Sequence, residues 1–404
     1  MPLVLFLLAL AVFVMGTSEF MLAGLIPAIA ADLDVPLGAA GLLTSAFAGG
    51  MVLGAPLMAV LARRWPPRST LLACLLVFAG CHAVAALTPR FPILLGTRAL
   101  SALACAGFLA VALSTATNLV PAHRTGRALA ILLSGTTLAT IAGVPAGALL
   151  GTAMGWRATF WAIALLCIPA ALGVLAGMRR TPAPSARTAG PDLRSELAAL
   201  GSSTLLRAMA LAALVNAGTF AAFTYLAPVV TEVAGLADGW IPVALMAFGI
   251  GSFLGVTIAG RLSDRWPGPL LAVGGPMLLI GWVALALLAS RPVLLLALVL
   301  VQGMVSFGVG STLVARVLRA ASGAPTMGGA CATAALNIGA AAGPGLGALG
   351  LSADRGVLAP IWVAAGLTAA ALTVMALSRP RRDGSATTGR PAGASPHRAS
   401  RARG

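Results

Sequence analysis

The chain has 404 residues, of which 59% are hydrophobic and only 9% are charged, and its mean hydropathy is +0.99. A soluble domain of this length carries about a quarter charged residues, so a water-soluble globular protein is excluded. All 26 basic residues are arginine, and the formal net charge is +16. They stand in short clusters between apolar runs or in the tail, a pattern that indicates membrane topology and not nucleic-acid binding.

Apolar stretches of about 20 residues, the length of helix that crosses a bilayer core, recur along the whole chain. Broken at Gly, Pro and charge clusters, they predict twelve spans and an all-α membrane protein. The first six spans are predicted at 3–30, 38–62, 69–88, 92–118, 128–151 and 158–177. The second six are predicted at 207–231, 240–261, 270–289, 292–318, 328–350 and 357–377.

The two ends and the middle of the chain complete this organisation. The N-terminal run lacks a basic n-region and a small-residue cleavage site, so it is predicted to be the first span and not a signal peptide. Residues 178–206 are polar and rich in Pro and Arg, and we predict a cytoplasmic linker there between bundles at 1–177 and 207–377. Residues 378–404 are predicted to be a disordered cytoplasmic tail.

The arginines predict the orientation of the spans. Of the 26, 21 lie in the tail or on one set of loops and helix ends, and Arg98 lies within a span. The opposite loops hold Arg90, Arg157, Arg291 and Arg355. Because cytoplasmic loops are enriched in arginine, both termini are predicted to be cytoplasmic in a multi-pass protein of the bacterial cell (inner) membrane.

The two halves of the sequence repeat with an offset of 201 residues. The matching residues are Pro27 and Pro228, Gly50 and Gly251, Gly54 and Gly255, and the runs Arg64-Trp65-Pro66 and Arg265-Trp266-Pro267. Two parallel six-span repeats joined by a cytoplasmic loop are typical of transporters with a substrate site between the halves, near the membrane midplane. A pore-type channel needs no such repeat.

The loop after the second span of each half carries a family motif, Gly-x-x-x-Asp-Arg-x-Gly-Arg. The second half has a good copy that begins at Gly260 and includes Asp264 and Arg265. The first half has a degraded copy with Arg64, in which Ala59 replaces the glycine and Arg63 replaces the acid. On this motif, the chain resembles the major facilitator superfamily over residues 1 to about 377.

Three further motifs are similar to those of the drug:proton antiporter group of that superfamily. The members of this group have twelve spans. Span four has Arg98 followed by Gly107, and span one reads Gly16-Thr17-Ser18-Glu19-Phe20. Span five carries the Gly/Pro motif of Gly135, Gly143, Pro145 and Gly147. Within the group, the chain is most similar to actinobacterial chloramphenicol resistance (efflux) proteins.

The resemblance implies two pseudo-symmetric six-helix bundles, the major facilitator fold, and a monomer in the lipid bilayer. It implies proton-coupled export of an antibiotic, with chloramphenicol as the leading candidate. The few charges within the spans favour a neutral, moderately lipophilic substrate over an organic cation. The expected partners are this small molecule and protons; no cofactor is expected, because the proton gradient supplies the energy. Export of sugars, nucleosides or another metabolite is the alternative, but such cavities carry more polar side chains. A non-transporting sensor is the other alternative, and it usually adds a structured soluble domain.

Glu19 is the strongest candidate for proton coupling. It lies roughly 15 Å from the outer end of its span, at 1.5 Å per residue. An acid at that depth costs roughly 2.5–3.5 kcal/mol, so it faces a cavity or a partner. Arg98 is the predicted partner: burial favours the protonated acid, whereas a nearby cation favours the carboxylate. The alternative is a static buried ion pair that fixes helix packing.

The other predicted sites follow from the spans and the motifs. The small residues of span five are expected to allow close helix contact that seals one side of the cavity, or simple tight packing. Asp264 and Arg265 are expected to form a conformational latch or a topology charge. Predicted substrate contacts are Phe20, Asn216, Phe220, Phe223, Tyr225, Gln302 and Asn337. His82 is interpreted as a packing residue, although it could titrate.

No enzyme constellation is found in the sequence. The three histidines, His82, His123 and His397, are too scattered for a metal site or a catalytic triad. The five cysteines lie inside apolar runs without metal-ligand spacing and are interpreted as core residues. We therefore expect neither an enzyme nor a metal protein.

Overall fold

The computed structural model is helical over the residues that it describes. These residues are 3–61, 65–178, 202–262, 266–321, 325–353 and 355–377. Within them, twelve helices are long and apolar enough to cross a membrane, which confirms the predicted number of spans. The predicted linker, apart from its ends, and the predicted tail lie outside the described residues.

We number the spans α1 to α12 in chain order. Those of the first half are α1 Leu3–Gly24, α2 Leu37–Leu61, α3 Pro67–Leu87, α4 Phe91–Asn118, α5 Thr125–Met154 and α6 Trp156–Gly177. Those of the second half are α7 Ser203–Thr224, α8 Ile241–Leu262, α9 Pro267–Leu288, α10 Pro292–Ala320, α11 Pro325–Ser352 and α12 Ala359–Leu377. Because the number is even, α1 begins and α12 ends at the same membrane face, here called the terminal face; the opposite one is the far face.

Local sequence sets several helix ends and two irregular turns. Pro67 and Pro292 stand at the first position of α3 and α10, where the missing N–H of proline costs nothing. Gly155, with a φ of 84°, makes the turn between α5 and α6, because glycine adopts positive φ without strain. The last turn of α1, Met21–Gly24, is a 3-10 helix, and α5 contains a π-helical turn at Ala139–Gly143.

The helix pairings of the first half recur in the second half. The helices α1 and α5, α2 and α4, and α3 and α6 pack together, as do α7 and α11, α8 and α10, and α9 and α12. Gly50 of α2 lies against the carbonyl group of Ala99, and Gly251 of α8 lies against that of Leu300. Both residues of each pair are shifted by 201 positions, so the sequence repeat is also a structural repeat. The result is two pseudo-symmetric six-helix bundles.

The two most extensive helix contacts between the bundles place the site. One is α2 with α11, and the other is α5 with α8. Near the far face, a Cβ atom on Gly38 would lie 3.1 Å from that of Ala348; near the middle, Gly249 lies directly against the carbonyl group of Thr140. Together with α1, α7 and α10, the helices α5 and α8 enclose a small space between the bundles at this level.

Candidate functional site

An aromatic cavity lies between the two bundles, near the middle of the spans. Its wall includes five phenylalanine side chains from both halves: Phe20, Phe220, Phe223, Phe248 and Phe307. The remaining lining residues are Thr140, Val144, Thr219, Leu245, Gly249 and Ser252. None of these described lining residues is charged. The rings pack closely, and the free volume of about 10 Å³ holds roughly one water molecule.

The five rings form one continuous cluster. The ring centroid of Phe20 lies 5.8 Å from that of Phe220 and 6.4 Å from that of Phe223. Phe223 then packs on Phe248 at 4.6 Å, and Phe248 meets Phe307 edge-on at 6.0 Å. These distances are typical of offset and edge-to-face aromatic pairs. An aromatic ring of a ligand could therefore take the place of one phenylalanine ring and pack on its neighbours in the same geometry.

Three hydroxyl groups of the cavity donate their hydrogen atoms to their own helices. Thr140 donates to the carbonyl oxygen of Thr137 at 2.9 Å, and Thr219 to that of Val215 at 3.0 Å. Ser252 donates in the same way to Phe248 at 2.8 Å. A hydroxyl oxygen retains acceptor capacity when its hydrogen is donated. The polar atoms of the wall are thus suited to accept hydrogen bonds from a ligand.

Glu19 and Arg98 are near enough to interact through charge, but they do not form a tight ion pair. Glu19 is half-buried on α1, directly before Phe20 of the cavity wall. It interacts with Arg98 through charge, yet within the described part of the chain its carboxylate makes no hydrogen bond and no short salt bridge. The guanidinium of Arg98 is 1% exposed and donates instead to Ser18, at 2.8 Å to Oγ and 2.9 Å to the carbonyl oxygen.

The small residues of α5 lie against α1 inside the first bundle. A Cβ atom on Gly135 would lie 2.9 Å from the backbone nitrogen of Phe13, and one on Gly143 would lie 3.0 Å from Cβ of Thr17. Gly147 also faces α1, and Pro145 is buried. The helix α5 contacts α8 of the other bundle as well. The motif thus packs α5 on the helix that carries Glu19.

The same packing recurs in the second bundle. Gly339 of α11 lies against the backbone of Ala213 and Ala217 of α7, as Gly135 of α5 lies against Ala9 and Phe13 of α1. The residue numbers differ by 204 in both helices. The Gly/Pro-rich stretch of α11 is therefore the structural counterpart of the motif in α5.

Four predicted substrate contacts lie away from the aromatic cavity. Tyr225 is fully buried, and its hydroxyl group donates to the carbonyl oxygen of Pro344 at 2.9 Å, with that of Gly38 at 3.4 Å. Its ring lies at the α2–α11 contact near the far face, so the structure gives it an interbundle role and not a cavity role in this conformation.

The three predicted amide contacts are used inside the second bundle. The Asn216 amide donates to the carbonyl oxygen of Leu336 on α11 at 2.6 Å, and that of Gln302 donates to Leu278 on α9 at 3.2 Å. Asn337 donates to Thr333, one turn back in its own helix. These side chains do not line the cavity, because their amide groups donate to backbone carbonyl oxygens inside the second bundle.

The loop motif is only partly described. Gly260 lies in the last turns of α8 and is exposed, with open space beside its α-carbon. Arg64, Asp264 and Arg265 lie outside the described residues. The latch role of the motif stays a prediction.

Several site residues were missed from the sequence. Ser18 and Phe47 contact Arg98, the latter through its ring face at 4.4 Å. Phe248 and Phe307 line the cavity, and the repeat contains a signal for the first of them, since Phe248 is Phe47 shifted by 201 positions. Within the described residues, no group of His, Cys, Asp or Glu is arranged to hold a metal ion.

Comparisons with known proteins agree with this architecture. Residues 8–330 match the family model of the Major Facilitator Superfamily. The chain is 64% identical over 374 residues to a protein of Streptomyces lividans named chloramphenicol resistance protein, which covers 93% of this chain and 95% of that protein. It is 32% identical over 349 residues to the inner membrane transport protein YdhP of Escherichia coli K12, covering 86% and 89% of the two chains.

A solved structure shares the fold. The inward-facing, unoccupied crystal structure of a bacterial homologue of the human lysosomal transporter Spinster matches with a TM-score of 0.72 at 17% identity, over 93% of this chain and 94% of that chain. The match confirms the predicted all-α fold of two six-helix bundles. With its two repeated bundles, its multi-pass membrane helices and the match over most of its length, the chain belongs to the major facilitator superfamily.

Proposed function

We propose that the protein is a proton-coupled antiporter that exports chloramphenicol or a similar neutral, moderately lipophilic antibiotic from a bacterial cell. The observation that carries the proposal is the position of Glu19 directly before Phe20. One turn of α1 thus carries both Glu19, the candidate proton-exchanging group, and Phe20 of the aromatic wall. Movement of this turn on proton exchange would change the cavity at the same time.

The chemistry of the cavity favours this substrate class. Its wall is aromatic and uncharged among the described lining residues, so an organic cation would lose its hydration without a counter-charge. The hydroxyl oxygens of Thr140, Thr219 and Ser252 can accept hydrogen bonds from a ligand. Chloramphenicol carries a nitrophenyl ring, hydroxyl groups and an amide N–H, which match these surfaces. The name of the Streptomyces relative supports the same class.

The energy source and the orientation complete the proposal. Glu19 takes up a proton from outside and releases it inside, in exchange for the drug, so the proton gradient drives export and no cofactor is needed. The arginine-rich terminal face lies in the cytoplasm, with both termini and the linker. The protein acts as a monomer in the cell membrane. Opening toward either side requires the bundles to separate, since the cavity in this conformation is too small for a drug.

Drug accumulation and drug susceptibility, both measured in an efflux-deficient bacterium, test the proposal. Cells that express the protein are expected to accumulate less labelled chloramphenicol than control cells, and a protonophore is expected to abolish the difference. Failure of a well-expressed protein to protect against any drug would contradict the proposal and would favour sugar, nucleoside or metabolite transport.

A pair of phenylalanine variants tests the cavity. Loss of one aromatic contact costs about 0.5–1.5 kcal/mol, so Phe220→Ala is expected to weaken the apparent affinity for chloramphenicol about twofold to tenfold. Phe253 of α8 is 45% exposed and does not line the cavity, so Phe253→Ala is the matched control and is expected to bind the drug normally. Equal effects of the two variants would contradict a substrate site at this cavity.

A further inference from the structure

His82 is the third member of a buried hydrogen-bond chain that begins at Arg98. The guanidinium donates from Nη1 to Oγ of Ser18. The Ser18 hydroxyl lies 2.6 Å from Nε2 of His82, and Nδ1 of His82 lies 2.7 Å from the carbonyl oxygen of Phe78. The side chains of Arg98, Ser18 and His82 are between 0% and 2% exposed. The chain joins α4, α1 and α3.

The partners are consistent with one direction for every bond in this chain. A carbonyl oxygen only accepts, so Nδ1 of His82 carries a hydrogen and donates it to Phe78. The Ser18 oxygen accepts from Arg98, so its own hydrogen is free to be donated to Nε2. In the neutral form of His82, Nε2 is the acceptor that sets the orientation of the Ser18 hydroxyl group. A second positive charge on His82 would face the guanidinium of Arg98 and lose the bond from Ser18.

The same chain determines where the guanidinium of Arg98 lies. Both of its terminal nitrogens are bound to Ser18, and its centre lies 4.4 Å above the ring of Phe47. The neighbouring carboxylate of Glu19 is left without a short ion pair. A short ion pair with an arginine would strongly favour the charged carboxylate of Glu19. It would therefore hinder the binding of a new proton to Glu19.

We propose that His82 is a positioning residue for proton exchange, which acts through the Ser18 hydroxyl to hold Arg98 on the backbone of α1 and away from the Glu19 carboxylate. This inference rests on the proposed role of Glu19 as the proton-exchanging group. In the described part of the chain, the other titratable groups that interact with Glu19 or Arg98 are the thiols of Cys81 on α3 and Cys105 on α4, with Cys74 beside Cys105.

Carbodiimide labelling of Glu19 tests the inference without any drug. Dicyclohexylcarbodiimide reacts with protonated carboxyl groups in apolar surroundings, and mass spectrometry of the purified protein gives the labelled fraction in a series of buffers. In Ser18→Ala, Arg98 keeps only its bond to the backbone carbonyl oxygen of residue 18, and in His82→Leu the Ser18 hydroxyl loses the acceptor that orients it. In both variants the guanidinium is held less firmly and can approach the carboxylate, so the pH of half-maximal labelling is expected to fall by about one unit. The double variant is expected to shift no further than the larger single shift, because both changes break the same link.

Two further variants separate positioning from general damage. His82→Gln retains an acceptor near the Nε2 position and is expected to keep the wild-type midpoint. Thr70 is also buried on α3 and bonds the carbonyl oxygen of Pro66 at 3.1 Å, so Thr70→Val is the matched control and is expected to cause no shift. Ser18→Ala decides the question if His82→Leu does not fold.

The outcomes distinguish this inference from the proposed function. A wild-type midpoint that neither His82→Leu nor Ser18→Ala moves would overturn the inference alone, as would additive shifts in the double variant. Labelling of wild-type Glu19 that does not depend on pH would overturn both the proton role and the inference.

Discussion

Replacement of Gly143 by alanine adds a single carbon atom, Cβ, at the contact between α5 and α1. The new Cβ would lie 3.0 Å from Cβ and 3.1 Å from Cγ2 of Thr17, and closer still to Oγ1. Carbon atoms in good contact are about 3.5–4.0 Å apart, so the helices must separate by roughly half an ångström or more. Thr17 cannot turn away without losing its hydrogen bond to Phe13, at 2.8 Å.

The expected cost follows from this overlap. Overpacking of this kind typically costs about 1–3 kcal/mol, so Gly143→Ala is expected to lower the thermal midpoint of the detergent-solubilised protein. Drug exchange in proteoliposomes is expected to fall as well, because Thr17 lies two residues before Glu19 and a displaced α1 moves the proton site. Gly143→Leu, which adds more atoms, is expected to abolish transport.

Two variants control this prediction. Gly126 lies on the same helix, and a Cβ atom there would meet nothing within 4 Å, so Gly126→Ala is expected to leave stability and transport unchanged. Thr17→Ala removes the Oγ1 and Cγ2 contacts and is expected to rescue Gly143→Ala in part. A Gly143→Ala protein as stable and active as the wild type, or a Gly126→Ala protein equally damaged, would refute the reasoning.

Two further predictions concern the far face. Tyr225→Phe removes the hydrogen bond to Pro344, so it is expected to lower the free energy of unfolding by about 0.5–1.5 kcal/mol. Because this bond lies at the α2–α11 contact, the variant is also expected to form less disulfide between cysteines placed at Gly38 and Ala348. An unchanged disulfide yield would contradict a closing role for Tyr225. Asp32 accepts hydrogen bonds from Arg157 and Trp156, but the side chains of Arg157 and Asp32 are 34% and 43% exposed. Asp32→Asn is therefore expected to cost less than about 1 kcal/mol of unfolding free energy at low salt. A larger loss of stability that persists at high salt would contradict this.

The spans and the repeat could be predicted from the sequence because both depend on linear patterns. Apolar length fixes the number of membrane helices, and proline and glycine mark several of their ends. The offset between Gly50 and Gly251 survives as equivalent contacts with α4 and α10, since a repeat of sequence becomes a repeat of packing. Phe20, Phe220 and Phe223, which were predicted as substrate contacts, all line the aromatic cavity between the bundles.

The side-chain partners could not be predicted, because membrane helices are apolar around their whole circumference. Sequence then gives little information on which way each helix is rotated. Neighbouring residues of a helix point about 100° apart, so it could not be foreseen that Arg98 would bind Ser18 and not Glu19. The same uncertainty placed Tyr225 and Gln302 in the cavity, although the structure directs them to backbone carbonyl oxygens elsewhere.

The most direct test of the account is chloramphenicol export by purified Glu19→Gln protein in proteoliposomes, with and without an imposed proton gradient. Glu232 is exposed in the short helical turn Val229–Val233 that follows α7, so Glu232→Gln serves as the matched control. The account predicts that the wild type and Glu232→Gln move the drug against its gradient when the proton gradient is imposed. Glu19→Gln is predicted to exchange drug for drug but not to respond to the gradient. Uphill export by Glu19→Gln at the wild-type rate would contradict proton coupling through this residue.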